Sequence, residues 1–74
     1  MGKRRTGAAF AEWLKDQRKR RHLLQREMAD RCGVSTRQYR RWEGAKCIPG
    51  VVNARKVAKA VEVDEDVVFE LLDR

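Results

Sequence analysis

Apolar residues recur along most of the chain at the spacing of amphipathic helices, and short polar or glycine-containing segments separate them. This pattern predicts five helices, at about residues 8–21, 25–32, 36–43, 51–61 and 65–72. The sequence has no strand-like alternation and no internal repeat. We therefore predict an all-α fold, a compact five-helix bundle spanning residues 8–74. Residues 1–7 contain two glycines and no apolar period, and are predicted to form a flexible basic arm.

Each predicted helix has one apolar face, and we expect these faces to meet in one core. We expect the core to be built from Ala9, Phe10, Trp13, Leu14, Met28, Ala29, Cys32, Tyr39, Trp42, Val51, Ala54, Val57, Ala58 and Val61. Gly33 should end the second helix, and a tight turn is expected at His22. Ser35 is a favourable N-cap for the third helix, and Gln38 three residues later completes a capping-box pattern. Asp64 is expected to cap the fifth helix.

Charge is distributed unevenly along the chain, whose net charge is +7. Residues 1–59 carry 17 Lys and Arg against 5 Asp and Glu, whereas residues 60–74 carry 1 against 6. A basic body with an acidic end indicates a surface for a polyanion and a second surface of different character. An anionic membrane is the less favoured polyanion, because the run Arg18–Arg21 lies on a helix whose apolar residues are expected in the core.

Other classes of protein receive little support. Two cysteines cannot form a disulfide framework, and no Cys/His cluster has zinc-binding spacing, so we expect no metal, cofactor or small-molecule ligand. No catalytic constellation is present, and an enzyme is not expected. The sequence lacks an apolar run of about 18 residues and a signal-peptide pattern, so neither a membrane span nor a signal peptide is expected. Two lone thiols fit a reducing cytoplasm, and we expect a cytoplasmic protein. Cys32 is expected in the core and Cys47 in an exposed loop.

Residues 25–43 form a helix, a short turn at 33–35 and a second helix. Small turn residues allow two helices to cross steeply, so that the second can protrude into a nucleic-acid groove. The protruding helix carries polar and basic side chains, and no acidic residue before Glu43: Thr36, Arg37, Gln38, Arg40 and Arg41. Arg and Gln are the side chains that pair bidentately with guanine and adenine edges. The segment therefore predicts a helix-turn-helix that reads a DNA duplex.

Many of these residues also match a known pattern, which runs from about Leu14 to Phe69. The matching marks are Arg18, Leu23, Gln25, Glu27, Met28, Ala29, Gly33, Val34, Ser35, Tyr39, Trp42, Glu43, Pro49, Val57, Ala58 and Val63. At this spacing the chain resembles the Cro and lambda-repressor type of helix-turn-helix domain, found in phage and bacterial regulators. Three positions depart from that pattern: His22 and Ala45, where the family often has glycine, and Leu24, where it has an N-capping residue.

The resemblance implies a role for each position of the site. Base edges would be read by Thr36, Arg37, Gln38 and Arg41. Phosphates would be held by Gln25, Arg26, Arg40 and Lys46. Arg18 and Glu43 would form an internal ion pair that orients the recognition helix, and Gln25 would brace the start of that helix.

The sequence thus predicts a sequence-specific transcriptional regulator that binds double-stranded DNA as a homodimer on an inverted repeat. Candidate dimer residues are Val67, Leu71 and Leu72, with a fully buried last helix as the alternative. The arm residues Lys3, Arg4 and Arg5 either reach a minor groove or form a solubilising tail. Without an effector domain the chain would act by occupancy, unless it is one domain of a longer regulator. Two other functions stay open: an antitoxin with a toxin partner, and a protein- or RNA-binding module without base readout.

Overall fold

The computed structural model describes residues 7–73 of the chain, so residues 1–6 of the predicted arm lie outside the described range. Within that range the elements are α1 (Ala8–Arg20), α2 (Gln25–Cys32), α3 (Thr36–Glu43), α4 (Val51–Ala60) and α5 (Glu65–Leu72). The predicted all-α fold is confirmed, and α1 and α4 each end one residue earlier than expected. No helix in residues 7–73 is both long and apolar enough to cross a bilayer.

A single core joins the five helices. Its largest fully buried side chains are Trp42, Tyr39, Phe10, Leu14, Met28, Val57 and Val68. The Trp42 ring meets Phe10 at a centroid distance of 6.5 Å and Tyr39 at 6.3 Å, both in edge-on geometry. Such pairs add about 0.5–1.5 kcal/mol beyond the burial of their area. The inner face of α3 is therefore fixed against α1 by aromatic packing.

One predicted core residue was wrongly placed. Val51 is 58% exposed, although its spacing from Ala54 and Ala58 put it on the apolar face. It is the first residue of α4 and follows the extended N-cap Gly50. The side chain therefore projects from the end of the helix, ahead of the point where α4 meets the core.

Four helices end in the same way. A residue after the last turn adopts a left-handed backbone, and these residues are His22, Gly33, Ala45 and Glu62, at φ 54°, 71°, 56° and 58°. The residue that follows donates its N–H to a carbonyl five positions earlier. These bonds join Leu23 to Arg18, Val34 to Ala29, Lys46 to Arg41, and Val63 to Ala58, at 2.9–3.2 Å. This is the arrangement of a Schellman motif. The tight turn predicted at His22 is confirmed.

The start of α1 includes a glycine that the prediction had assigned to the arm. Gly7 is buried and caps α1 with φ 76°. A Cβ atom there would lie 2.6 Å from Cγ2 of Ile48. Gly7 therefore belongs to the folded domain, because both its backbone conformation and its contact with Ile48 require the absence of a side chain.

Side-chain capping follows the prediction only in part. Ser35 Oγ accepts a hydrogen bond from the Gln38 N–H at 3.1 Å, as expected for an N-cap. The predicted capping box at this site was wrong, because the Gln38 side chain turns to Cys47 instead. Leu24, which cannot cap through its side chain, donates its N–H to the Glu27 carboxylate at 2.8 Å. Asp64 occupies the N-cap of α5, but its side chain makes no capping hydrogen bond.

Candidate nucleic-acid interface

The outer face of α3 carries only polar and basic side chains. Its inner side buries Tyr39, Trp42 and Glu43. Thr36 and Gln38 are half-buried, and the three arginines are exposed: Arg37, Arg40 and Arg41. Glu43, the acidic residue of this helix, is only 7% exposed. Because its carboxylate faces inward, the solvent side of α3 presents three positive charges that no acidic residue of the helix balances.

An ion pair fixes α3 to α1. Arg18 Nε lies 2.7 Å from Glu43 Oε2, and Arg18 Nη2 donates to Oε1 at 3.1 Å. Arg18 Nη1 also donates to the carbonyl of Leu23, at 3.0 Å, in the turn after α1. The guanidinium therefore uses its fork geometry on both the helix and the turn. This pair was expected from the sequence, and the structure brings its two members into direct contact.

Burial and hydrogen bonding act in opposite directions on this pair. Burial of Glu43 acts to raise the pKa of its carboxyl, but hydrogen bonds from neighbouring side chains, that of Arg18 foremost, hold the pKa below its ordinary value. The hydrogen bond to Glu43 raises the pKa of Arg18, against the opposing effect of its own burial. Both groups are therefore charged at neutral pH.

Gln25 links α2 to two positions of α3. Its Nε2 donates to Glu43 Oε1 at 3.2 Å, and its Oε1 accepts from Arg40 Nε at 3.1 Å. We expected Gln25 to brace the start of α3, but its contacts lie in the second half of that helix. A chain of hydrogen bonds thus runs from Arg18 through Glu43 and Gln25 to Arg40.

A basic hollow surrounds this chain of contacts at the N-terminus of α2. It has a volume of about 390 Å³ and is lined by Arg18, Leu24, Gln25, Arg26 and Arg40. Arg18 is already paired with Glu43, but Arg26 and Arg40 have no ion pair within residues 7–73. Beside the start of a helix, these two arginines form a surface suited to an anion such as a backbone phosphate. Of the predicted phosphate-binding residues, the structure gathers Gln25, Arg26 and Arg40 here.

Lys46 lies apart from this hollow. It is exposed in the loop after α3, and its N–H closes the end of that helix by donating to Arg41. The left-handed backbone at Ala45 sets the course of this loop. The departure from the family pattern at residue 45 therefore leaves the glycine-type turn in place, with alanine adopting it.

One contact in the site has no counterpart in the sequence pattern. Gln38 Nε2 lies 3.7 Å from Cys47 Sγ, across the loop that follows α3. Cys47 is half-buried and packs against the core, in contrast to the expected exposed position. A contact between side chains nine residues apart across an irregular loop leaves no periodic signal, which is why sequence reasoning missed it.

The remaining predicted residues lie on α5 or outside the described range. Val67 is 42% exposed, whereas Leu71 and Leu72 are partly buried against the core. Lys3, Arg4 and Arg5 fall within residues 1–6, outside the described part of the chain. Among residues 7–73 no cluster of three or more His, Cys, Asp or Glu could hold a metal. Burial raises the pKa of Cys32 to about 11, so its thiol is protonated at neutral pH.

The arrangement of α2, the short turn and α3 is that of a helix-turn-helix. The sequence model of the helix-turn-helix family matches residues 14–68, which include all of α2, the turn and α3. The chain therefore belongs to the helix-turn-helix family, of the Cro and lambda-repressor type that the sequence motifs indicated.

A curated relative comes from Vibrio cholerae serotype O1, where it is described as the cryptic phage CTXphi transcriptional repressor RstR. It is 36% identical over 55 residues, which cover 74% of this chain and 49% of the relative. The chain thus spans about half the length of the curated relative it matches. No solved structure gave a significant match.

Proposed function

We propose that this protein is a transcriptional regulator that binds double-stranded DNA by placing α3 in the major groove. The observation that carries the proposal is the outer face of α3, with three exposed arginines and its acidic residue turned inward. Such a face repels itself unless an anion meets it, and a helix of this width fits the major groove of B-DNA. The family membership and the relative described as a transcriptional repressor support the same function.

Phosphate contacts would set the orientation of α3 in the groove. The basic hollow at the start of α2 would hold one phosphate, and Lys46 in the loop after α3 would hold a second. Phosphate contacts beside a recognition helix fix its register on the duplex without selecting sequence. Gln25 would act in this scheme by holding the Arg40 side chain at the hollow.

We further propose that two copies bind an inverted repeat, because one eight-residue helix reaches only a few base pairs. The exposed surface of α5 offers Val67 beside acidic Asp66, while α4 exposes basic Lys56. A two-fold contact pairs each surface with its complement on the second copy. Val67 would be the centre of this contact, since Leu71 and Leu72 already pack partly against the core.

The test is selection of bound duplexes from a random library at about 150 mM salt, which suppresses purely electrostatic binding. We expect enrichment of an inverted repeat whose half-sites are about 10 base pairs apart. Binding that disappears as the salt concentration rises, with no enriched sequence, would contradict base readout and leave a non-specific clamp.

A further inference from the structure

The solvent-facing side chains of α3 differ in what they already contact. Gln38 is half-buried with its amide nitrogen 3.7 Å from Cys47 Sγ, and Arg40 donates through Nε to Gln25 at 3.1 Å. Arg37 and Arg41 are exposed, and within residues 7–73 neither side chain takes part in a hydrogen bond or ion pair. Two guanidinium groups are therefore free to meet a ligand, while the amide and the third guanidinium are held by the protein.

The two free arginines lie on one side of the helix. Residues four positions apart in an α-helix have Cβ atoms about 5–6 Å apart. Base pairs follow each other at about 3.4 Å along the duplex. Arg37 and Arg41, lying along the groove, therefore address bases within about two base-pair steps of each other.

Guanine is the base that a free guanidinium selects in the major groove. It presents two adjacent acceptors, O6 and N7, to the two parallel donors of the arginine fork. Adenine places a donor beside its N7, and an arginine has no acceptor to meet it. The side chain suited to adenine is the amide of Gln38, which Cys47 draws towards the loop.

We propose that each half-site contains two guanines within two base-pair steps, read by Arg37 and Arg41, and that Gln38 and Arg40 do not choose bases. Arg40 instead binds phosphate in the basic hollow, where its hydrogen bond to Gln25 holds it. This inference rests on the proposed function and narrows the base-reading set that the sequence predicted. Thr36, half-buried at the start of α3, keeps its predicted place beside the groove.

Parallel selections test the assignment with the full chain and the variants Arg37→Ala, Arg41→Ala and Gln38→Ala. The wild-type motif should hold both guanines. Each arginine variant should lose the preference at one of them, by roughly 5- to 150-fold, and at a different one in each case. Gln38→Ala, the matched truncation on the same helix, should select the wild-type motif. Arg37 and Arg41 are exposed and Gln38 is half-buried, and circular dichroism would check that each variant folds.

A gain of preference gives a second readout. Arg37→Gln should move the selected base at its position from guanine towards adenine, because glutamine pairs with adenine N6 and N7. Arg40→Ala should weaken binding to all duplexes alike and reduce the slope of log K against log salt by about one.

The outcomes separate this inference from the proposed function. A wild-type motif without guanine, or a motif that Arg37→Ala and Arg41→Ala leave unchanged, would overturn the guanine assignment while leaving a sequence-specific regulator. A motif altered by Gln38→Ala would contradict the claim that the Gln38 amide does not choose a base. If no selection enriched any sequence, the proposed function itself would fail.

Discussion

The Glu43 carboxylate of α3 is hydrogen-bonded to side chains of α1 and α2. It accepts hydrogen bonds from Arg18 at 2.7 and 3.1 Å and from Gln25 at 3.2 Å. Each of these donors belongs to a helix other than α3. A buried side chain on the inner face of α3 thereby determines how the outer face is presented.

Replacement of Glu43 by Gln should therefore lower the free energy of unfolding by about 3–5 kcal/mol, because the Arg18 charge loses its partner in a largely buried setting. Asp16→Asn is the matched control. Its ion pair with Arg20 has a similar length of 2.8 Å, but both side chains are more than half exposed. That variant should change stability by less than about 1 kcal/mol. Equal effects of the two substitutions in urea unfolding would contradict the account.

The pH dependence of stability provides a second check on Glu43. Its pKa in the folded protein lies below the ordinary value, so its contribution is present above the ordinary pKa and is lost as the pH falls through the folded one. The wild type should therefore lose more stability than Glu43→Gln when the pH is lowered from about 5 to about 3. Parallel curves for the two proteins would contradict this assignment.

Ala45 lowers the stability of the fold, because its backbone is strained. At φ 56° it occupies the left-handed region, which costs a residue with a Cβ atom about 1–2 kcal/mol. Ala45→Gly should raise the free energy of unfolding by about 0.5–1 kcal/mol, after the entropy that glycine loses on folding. Ala9→Gly, the same change on ordinary helical backbone, should lower it by a similar amount. Destabilisation by Ala45→Gly in thermal unfolding would contradict the strain argument.

At the scale of elements, α3 is held from three sides. Aromatic packing fixes its inner face, the Arg18–Glu43 pair ties it to α1, and Ser35 caps its start. The cap matters because eight residues are too few for a helix to be stable on its own. The orientation of the arginines thus depends on contacts distributed along the whole of α3.

Ser35→Ala should reduce stability by about 1 kcal/mol, because the Gln38 N–H loses its acceptor. Ser35→Asn is the control, since asparagine caps about as well as serine. The measurement is the urea midpoint of each variant at constant m-value. A Ser35→Asn variant as unstable as Ser35→Ala would show that the hydroxyl acts in some other way than by capping.

The elements themselves could be predicted, because each has an apolar period and an end signal such as Gly33. Val51 was misplaced because a period cannot show where the first turn of a helix leaves the core. Gly7 was assigned to the arm because its contact is with Ile48, 41 positions later in the chain. The ties of Gln25 to Arg40 and of Gln38 to Cys47 depend on how two elements approach each other. No local sequence pattern encodes how closely two elements approach each other.

At the scale of the whole molecule, charge is distributed unevenly along the chain. The acidic residues after position 60 lie on and around α5, and one of them pairs with α4 through Arg55 and Glu65 at 3.3 Å. The basic residues of α2 and α3 surround the candidate interface. Because like charges oppose the approach of two basic surfaces, a dimer contact through α5 keeps the α3 faces free for a duplex.

Val67→Lys tests that contact, because the side chain is 42% exposed and its replacement leaves the core intact. We expect sedimentation equilibrium to show weaker dimerisation, and binding to an inverted repeat to become less cooperative. Glu12→Lys introduces a lysine at an exposed position of α1, outside the proposed contact, and should leave both properties unaltered. If Val67→Lys also left them unaltered, the proposed α5 contact would be wrong.

The central claim is that α3 reads base edges, and its most direct test is a ratio of affinities. The ratio compares the selected duplex with a scrambled duplex, for the wild type and for Arg37→Ala/Arg41→Ala. Lys15→Ala/Lys19→Ala is the control, because it removes two exposed charges from α1. The ratio should fall at least about 10-fold in the α3 variant and stay unchanged in the control. An unchanged ratio in both variants, with affinity lowered for all duplexes alike, would mean that α3 contacts DNA only through its charge.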